Sequence, residues 1–331
     1  MMSIGKSMRV RKMISLANEL EHVKSIAIAG HVRPDGDCTG SCLAVYNYIR
    51  ENYPDVEAVV YLEMMNPTFR FLKGAEEVKT DFTEDRAYDL FLSLDASDRE
   101  RLGDAVKYFE TAGRTLCVDH HITNPGFAGK NWVVPDASST SELVWQMMEE
   151  EKVSQETAEA LYLGIAHDTG IFQYSNTTEK TMQIAGKLMS KGIDFSRIID
   201  DTFNRKTYVQ NQVLGRALME SVLLMDGKII VGRIRQKDMD FYGVIPKDLD
   251  GIVSQLRVTE GVEVAIFLYE TGNHEYKVSM RSNGPVDVSE ICAYFGGGGH
   301  VKAAGCTMHG TLHDVVNNLT LHIEKALKKD S

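Results

Sequence analysis

The stretch AGHVRPDGDCTGS (Ala29–Ser41) decides how this chain is read. It follows the apolar run SIAIA, a short buried strand, and it precedes a segment with helical period from Thr39 to Tyr53. Thr39 or Ser41 is available to cap that helix. Between strand and helix lie His31, Arg33, Asp35 and Asp37 in a loop turned by Gly36. Two carboxylates two residues apart repel one another unless something of opposite charge stands between them. A polar turn is the plain reading of this loop taken alone.

The same rhythm continues outward. VEAVVYLEM (56–64), YDLFLSLD (88–95) and RTLCVDHH (114–121) read as further strands. SSTSELVWQMMEEE (138–151) and SQETAEALYLGIAHDTG (154–170) read as helices, each opened by Ser or Thr with Glu following. Strand alternating with helix predicts an α/β domain with a mostly parallel sheet flanked by helices over residues 1–193. Residues 194–215 are helical without strands and suit a connector. A smaller α/β domain is expected over 216–331, with strands KIIVGRI (228–234), VEVAIFLYE (262–270) and EYKVSMRS (275–282). DLDGIVSQLR (248–257) and DVSEICAYF (287–295) are its helices, and LHDVVNNLTLHIEKALKK (312–329) closes it. The apolar stripe of that last helix, Leu312, Val315, Val316, Leu319, Leu321, Ile323 and Leu327, is read as core.

Composition narrows the function. The chain has 331 residues, 43% hydrophobic and 25% charged, which suits a globular protein of two domains. No apolar run is long enough to span a membrane. The N-terminal MMSIGKSMRVRKMISLANEL lacks the apolar core of a secretory signal. Five cysteines, Cys38, Cys42, Cys117, Cys292 and Cys306, are scattered and form no C-x-x-C pair, so reduced thiols and a cytoplasmic location are expected. A net charge of −11 makes a poor electrostatic clamp for a long nucleic acid polymer.

Ligands of open parallel sheets bind beyond the carboxyl ends of the strands. His31, Asp35 and Asp37 follow one strand there, Asp95 ends another, Asp119, His120 and His121 end a third, and Asp168 ends a helix packed on the same sheet. Singly, each is a cap or a hydrogen-bonded turn. Together they gather more negative charge than nearby Lys and Arg can offset, and a divalent cation answers that need. Oxygen ligands with a few imidazoles favour Mn²⁺, with Mg²⁺ as a substitute, over zinc. No cysteine is expected to act as a ligand. His167 is read as a neighbour of Asp168.

HVRPDGDCTGS, SLDASD, VDHHITN and HDTGIF, in that order, resemble the four motifs of the DHH phosphoesterase family. GGGGHVKAAG (296–305), preceded by MRSNGPVDVSEIC, is similar to the companion DHHA1 domain. The resemblance implies a two-ion Mn²⁺ centre in a cleft between the domains. His31, Asp35 and Asp95 would hold one ion; Asp37, Asp95, His120 and Asp168 would hold the other. Asp119 would orient His120, and His121 would face the scissile phosphate. Two such ions make a shared water acidic enough to attack phosphorus. Arg281, Ser282, Asn283, Gly297, Gly298, Gly299 and His300 would grip the non-scissile phosphate.

The substrates this implies are short oligoribonucleotides and 3'-phosphoadenosine-5'-phosphate (pAp). Linear or cyclic dinucleotides are the alternative within the fold, and a nucleotide sensor that binds without cutting is the alternative outside it. No membrane partner is expected, and a homodimer is compatible with the chain.

Overall fold

The computed structural model describes residues 14–329, so the basic start of the chain, residues 1–13, lies outside the described residues. The chain divides between Arg205 and Lys206 into two compact units, within the segment expected to connect them.

Unit 1 carries strands β1 (Ser25–Ala29), β2 (Glu57–Tyr61), β3 (Leu90–Leu94), β4 (Arg114–Asp119) and β5 (Lys130–Val133). All neighbours pair in parallel, in the order β2-β1-β3-β4-β5. Its helices are α1 (Leu16–Glu19), α2 (Gly36–Asn52), α3 (Val106–Thr111), α4 (Thr140–Met147), α5 (Gln155–Asp168), α6 (Glu179–Met189) and α7 (Phe195–Ile199). Ile26 and Ile28 of β1 pack in the larger core with α2, α4 and α5. Ala27 and Ala29 face the second, where Tyr61, Tyr88, Phe91 and Tyr108 gather. A parallel sheet covered on both faces needs apolar residues at every strand position, which is why its strands read as runs. Strand β5 escapes such a reading because KNWV buries only Trp132 fully.

Helix α2 starts earlier than the sequence predicts. Its cap is Asp35, whose side chain accepts from the Asp37 and Cys38 amides, and not Thr39 or Ser41. A carboxylate satisfies the first free amides of a helix better than a hydroxyl one turn later can. The consequence is positional: Asp37 now sits inside the first turn, fully buried.

Unit 2 contains α8 (Tyr208–Met219), β6 (Val222–Leu224), β7 (Ile229–Ile234), α9 (Gln236–Tyr242), α10 (Ile252–Arg257), β8 (Val264–Gly272), β9 (Glu275–Ser282), α11 (Val288–Tyr294), β10 (Gly298–His300), β11 (Ala303–His309) and α12 (Leu312–Lys329). The six strands lie in the order β10-β11-β9-β8-β7-β6. Only β7 and β8 run parallel. Ile266, Leu268, Val278 and Met280 share a core with α11 and α12, while Ile230, Ala265 and Phe267 share one with α8 to α10. On α12, Val315, Leu319 and Ile323 are fully buried, but Leu321 is exposed, because it falls two positions off the i, i+4 stripe.

Candidate metal centre

The polar side chains of unit 1 meet where its strands end. β1 runs into His31. β3 ends on Asp95, which takes a left-handed conformation (φ 57°), as Arg33 does in the first loop (φ 55°). Aspartate tolerates that region better than most residues, and strain held at a strand end is a mark of a working position. β4 ends on Asp119, followed by His120 and His121, and α5 ends on Asp168.

Each imidazole is oriented by its Nδ1. His31 Nδ1 donates to the Val32 carbonyl at 2.8 Å, and His120 Nδ1 faces the Ala137 carbonyl at 3.4 Å. A carbonyl can only accept, so in both rings Nε2 is the nitrogen left able to ligate a cation. Asp95 lies between them: His31 Nε2 is 3.6 Å from its Oδ2 and His120 Nε2 is 3.6 Å from its Oδ1. His31 Nε2 is also 3.6 Å from Asp35, and His120 Nε2 is 3.0 Å from Asp168. Among the described residues, three groups bring ligand atoms within 4.8 Å of one another: His31, Cys38 and Asp95; Asp95, His120 and His121; and Asp37, His120 and Asp168. Cys38, for which no ligand role is expected, lies in one of these groups, because the early start of α2 turns it inward at its first turn.

The electrostatics describe a site short of positive charge. Burial opposes a charged imidazole, yet the Asp35 and Asp95 carboxylates push His31 up to about 12. His120 is likewise pushed up to about 10 against burial, chiefly by Asp168. Burial first, then the neighbouring carboxylates, raise Asp37. Asp95 is raised by burial, with Asp35 and Asp168 adding to it. Asp35 goes the other way, to about 2; burial opposes this, but the His31 imidazole prevails. Divalent cations fit this donor set of convergent carboxylates and imidazole nitrogens, where an ion would take the place of the Nε2 protons.

One expected contact is corrected. Asp119 does not orient the His120 ring: its Oδ1 accepts from His121 Nδ1 at 2.7 Å and from the His120 backbone amide at 2.9 Å. The next residue in sequence turns away to the Ala137 carbonyl, so the carboxylate serves the ring two positions on. His121 thus keeps its proton on Nδ1 and presents Nε2. His167 is a packing neighbour, as read: its ring lies 5.1 Å from Phe69 and 4.2 Å from Phe203, and burial pushes it down to about 4.

Three contributors escape the sequence reading. The Thr140 and Ser141 amides, at the start of α4, donate to the two oxygens of Asp37 at 2.6 and 2.9 Å. The Thr140 hydroxyl donates to Asp95 Oδ1 at 3.0 Å. Asn124 Nδ2 donates to Asp119 Oδ2 at 2.6 Å. SSTSE signals a helix start, but not what that start faces.

The model of the DHH family N-terminal domain matches residues 25–165, and that of the DHHA1 domain matches 226–329. A Thermus thermophilus protein named bifunctional oligoribonuclease and PAP phosphatase NrnA is 30% identical over 304 residues, 90% of this chain and 89% of its own. The chain belongs to the DHH phosphoesterase family. It is an enzyme that hydrolyses phosphoester bonds. A Bacillus subtilis protein of the same name is 27% identical, over 86% of this chain and 90% of its own. The solved structure of an exopolyphosphatase-related protein from Bacteroides fragilis matches with a TM-score of 0.83 at 26% identity, covering 93% of this chain and 94% of that one.

The DHHA1 unit treats its expected site residues unequally. Arg281 on β9 pairs in register with Ala303 of β11, which pairs in turn with His300 of β10. Met280 next to it enters the α11–α12 core, so Arg281 stands on the opposite face. Asn283 is committed elsewhere: its Oδ1 accepts from Arg257, and its Nδ2 donates to the Arg257 and Val262 carbonyls. Ser282 is buried and bonds the Gly284 carbonyl. The Gly297 amide is spent on the Cys292 carbonyl at 2.8 Å, and a Cβ there would lie 2.2 Å from the Gly305 carbonyl. Its glycine is demanded by packing, which corrects its reading as a phosphate cradle. Gly298 is exposed, with open space where a Cβ would stand. Gly299 has a φ of 148°, and a Cβ there would lie 2.5 Å from the Ala303 carbonyl. The side chain of His300 lies outside the described residues. Among the described residues, no helix is long and apolar enough to cross a membrane.

Proposed function

We propose that this enzyme hydrolyses short oligoribonucleotides, about two to five nucleotides long, since a chain of net charge −11 offers no extended basic track for longer ones. It also removes a phosphate from pAp to leave AMP. The observation that carries the reading is the placement of Asp95 between two oriented imidazoles, one facing each of its oxygens. His31, Asp35 and Asp95 would hold one Mn²⁺, and Asp37, Asp95, His120 and Asp168 the other. Bound there, the ions supply Lewis acidity and an acidified water.

The chain's own groups do the rest. Asp119 holds the His121 Nδ1 proton and raises the ring's pKa, so in the imidazolium the Nε2–H is left to donate to a phosphoryl oxygen or protonate the departing one. Arg281, whose Nη1 donates to the Met280 carbonyl at 2.9 Å, would turn its other donors to a second, non-reacting phosphate, with Gly298, Gly299 and His300 one strand beyond its neighbour β11. The relatives named as oligoribonuclease and PAP phosphatase support this substrate pair.

The test is a panel assayed with Mn²⁺ and with a chelator control. It holds pAp, dinucleotides to pentanucleotides, a long oligonucleotide, cyclic dinucleotides and pyrophosphate. Fastest turnover on pAp and the shortest RNAs is expected. Preference for a cyclic dinucleotide replaces the substrate reading, and binding without turnover on every member replaces it with a sensor.

A further inference from the structure

We propose that Cys38 gives the His31 half of the centre a second ligation mode, a buried thiolate site for a thiophilic divalent cation such as Zn²⁺, Cd²⁺ or Co²⁺. The proposal rests on the reading of His31 and Asp95 as metal ligands. It goes beyond that reading in adding a sulfur ligand and a class of ion that the catalytic scheme does not use.

His31, Cys38 and Asp95 are 5%, 0% and 2% exposed, and one ligand atom of each lies within 4.8 Å of the other two. The opposite half, Asp37, His120 and Asp168, offers only oxygen and nitrogen. The two halves therefore differ in softness. Cys38 is placed by the start of α2, where its amide bonds the Asp35 carboxylate and its Sγ lies 3.8 Å from the His31 carbonyl. That carbonyl is a weak partner for a thiol.

A hard ion such as Mn²⁺ or Mg²⁺ prefers the carboxylate oxygens and leaves the thiol protonated. A thiophilic ion exchanges the sulfur proton for a metal–sulfur bond, and the proton leaves to solvent. Nitrogen, sulfur and oxygen from these three residues make a common partial ligand set for zinc. Asp95 would then be drawn to the His31 side and lost to His120, so the same ion would inhibit the Mn²⁺ enzyme.

A plainer reading is that Cys38 only packs. A Cβ on Gly30 would lie 2.2 Å from its sulfur, so the thiol fills that gap tightly. The two readings separate in a spectrum. Co²⁺ is added to the full-length, chelator-treated protein, and the sulfur-to-cobalt charge-transfer band is recorded in the near ultraviolet. The band is expected in the wild type and in Cys42→Ala, and it is expected to vanish in Cys38→Ala and Cys38→Ser. Zn²⁺ affinity, read by competition with a chromophoric chelator, should fall about tenfold or more in the Cys38 variants. Mn²⁺ affinity, read from the free-ion paramagnetic resonance signal, should stay within about twofold.

Because variants of a buried residue can misfold, ¹¹³Cd resonance of the wild type is recorded as well. A shift in the thiolate range supports the site. A wild type that binds Co²⁺ or Cd²⁺ without a thiolate signature overturns the proposal, as does a band that survives in Cys38→Ser. If Mn²⁺ still binds and supports hydrolysis in that case, the two-ion reading stands by itself. If no divalent ion binds, both fall.

Discussion

The two regions singled out in the sequence are built in opposite ways. In unit 1, Asp37, Asp95 and Asp119 are nearly or wholly buried, and their partners are imidazoles, backbone amides, the Thr140 hydroxyl and the Asn124 side chain. In unit 2, Gly297, Gly298 and Gly299 are all exposed, the last two on the edge strand, while Ser282 is buried and the polar groups of Asn283, Ser282 and Gly297 are taken by hydrogen bonds within the unit. A buried carboxylate has few structural uses, so several converging on one place point to chemistry. Glycine, serine and asparagine have many structural uses, and a motif rich in them mixes scaffold with site.

The sharpest way to break this contrast is at Asp95. Asp95→Asn should lower turnover about a thousandfold or more on every substrate, since it touches both halves of the centre. Turnover above a tenth of wild type at saturating Mn²⁺ would end the shared-carboxylate scheme. Asp119→Asn comes next, with kcat down about a hundredfold and KM little changed, because it disturbs the His121 tautomer. If KM rises instead, Asp119 serves binding.

Unit 2 should respond more selectively. Arg281→Ala should cost about ten- to a hundredfold in kcat/KM on pAp and dinucleotides. It should cost little on a small phosphodiester with no second phosphate. Equal losses on both would place Arg281 with the reacting groups and erase the distinction between the units. The smallest effect on activity is expected at Asn283. Asn283→Ala should destabilise by about 0.5–1.5 kcal/mol through the Arg257 and Val262 carbonyls it abandons, with KM unchanged. A raised KM at unchanged melting temperature would restore Asn283 to the substrate site.

The sequence was legible where pattern and burial coincide. The four strands of unit 1 with long apolar runs were read, whereas β5, with one fully buried residue in four, was not. His31, Asp95, His120 and Asp168 could be brought together because strand ends of a parallel sheet share an edge. Which carboxylate serves which ring could not be read, since Asp119 adjoins both His120 and His121 and only the loop's course decides. Thr140 acts largely through its backbone amide, which every residue but proline possesses, so its identity carried little warning. Cys38 read as one more scattered, reduced thiol with no ligand role. Its place followed from the choice of Asp35 over Thr39 as cap, a shift of one turn.

The two amides that Asp37 receives from Thr140 and Ser141 have a consequence for how the protein is made. The partial positive charge of a helix start already braces a fully buried carboxylate of the centre. Shape there is expected not to wait for an ion, which would make folding and metal loading separate events. Small metal-built domains are the opposite case, where binding energy is folding energy. Here a chelator should abolish hydrolysis and leave the circular dichroism intact. The melting temperature should drop only by the mass-action share that a bound ligand contributes. A cell could then hold a folded, inactive reserve of this enzyme and set its activity by the supply of metal.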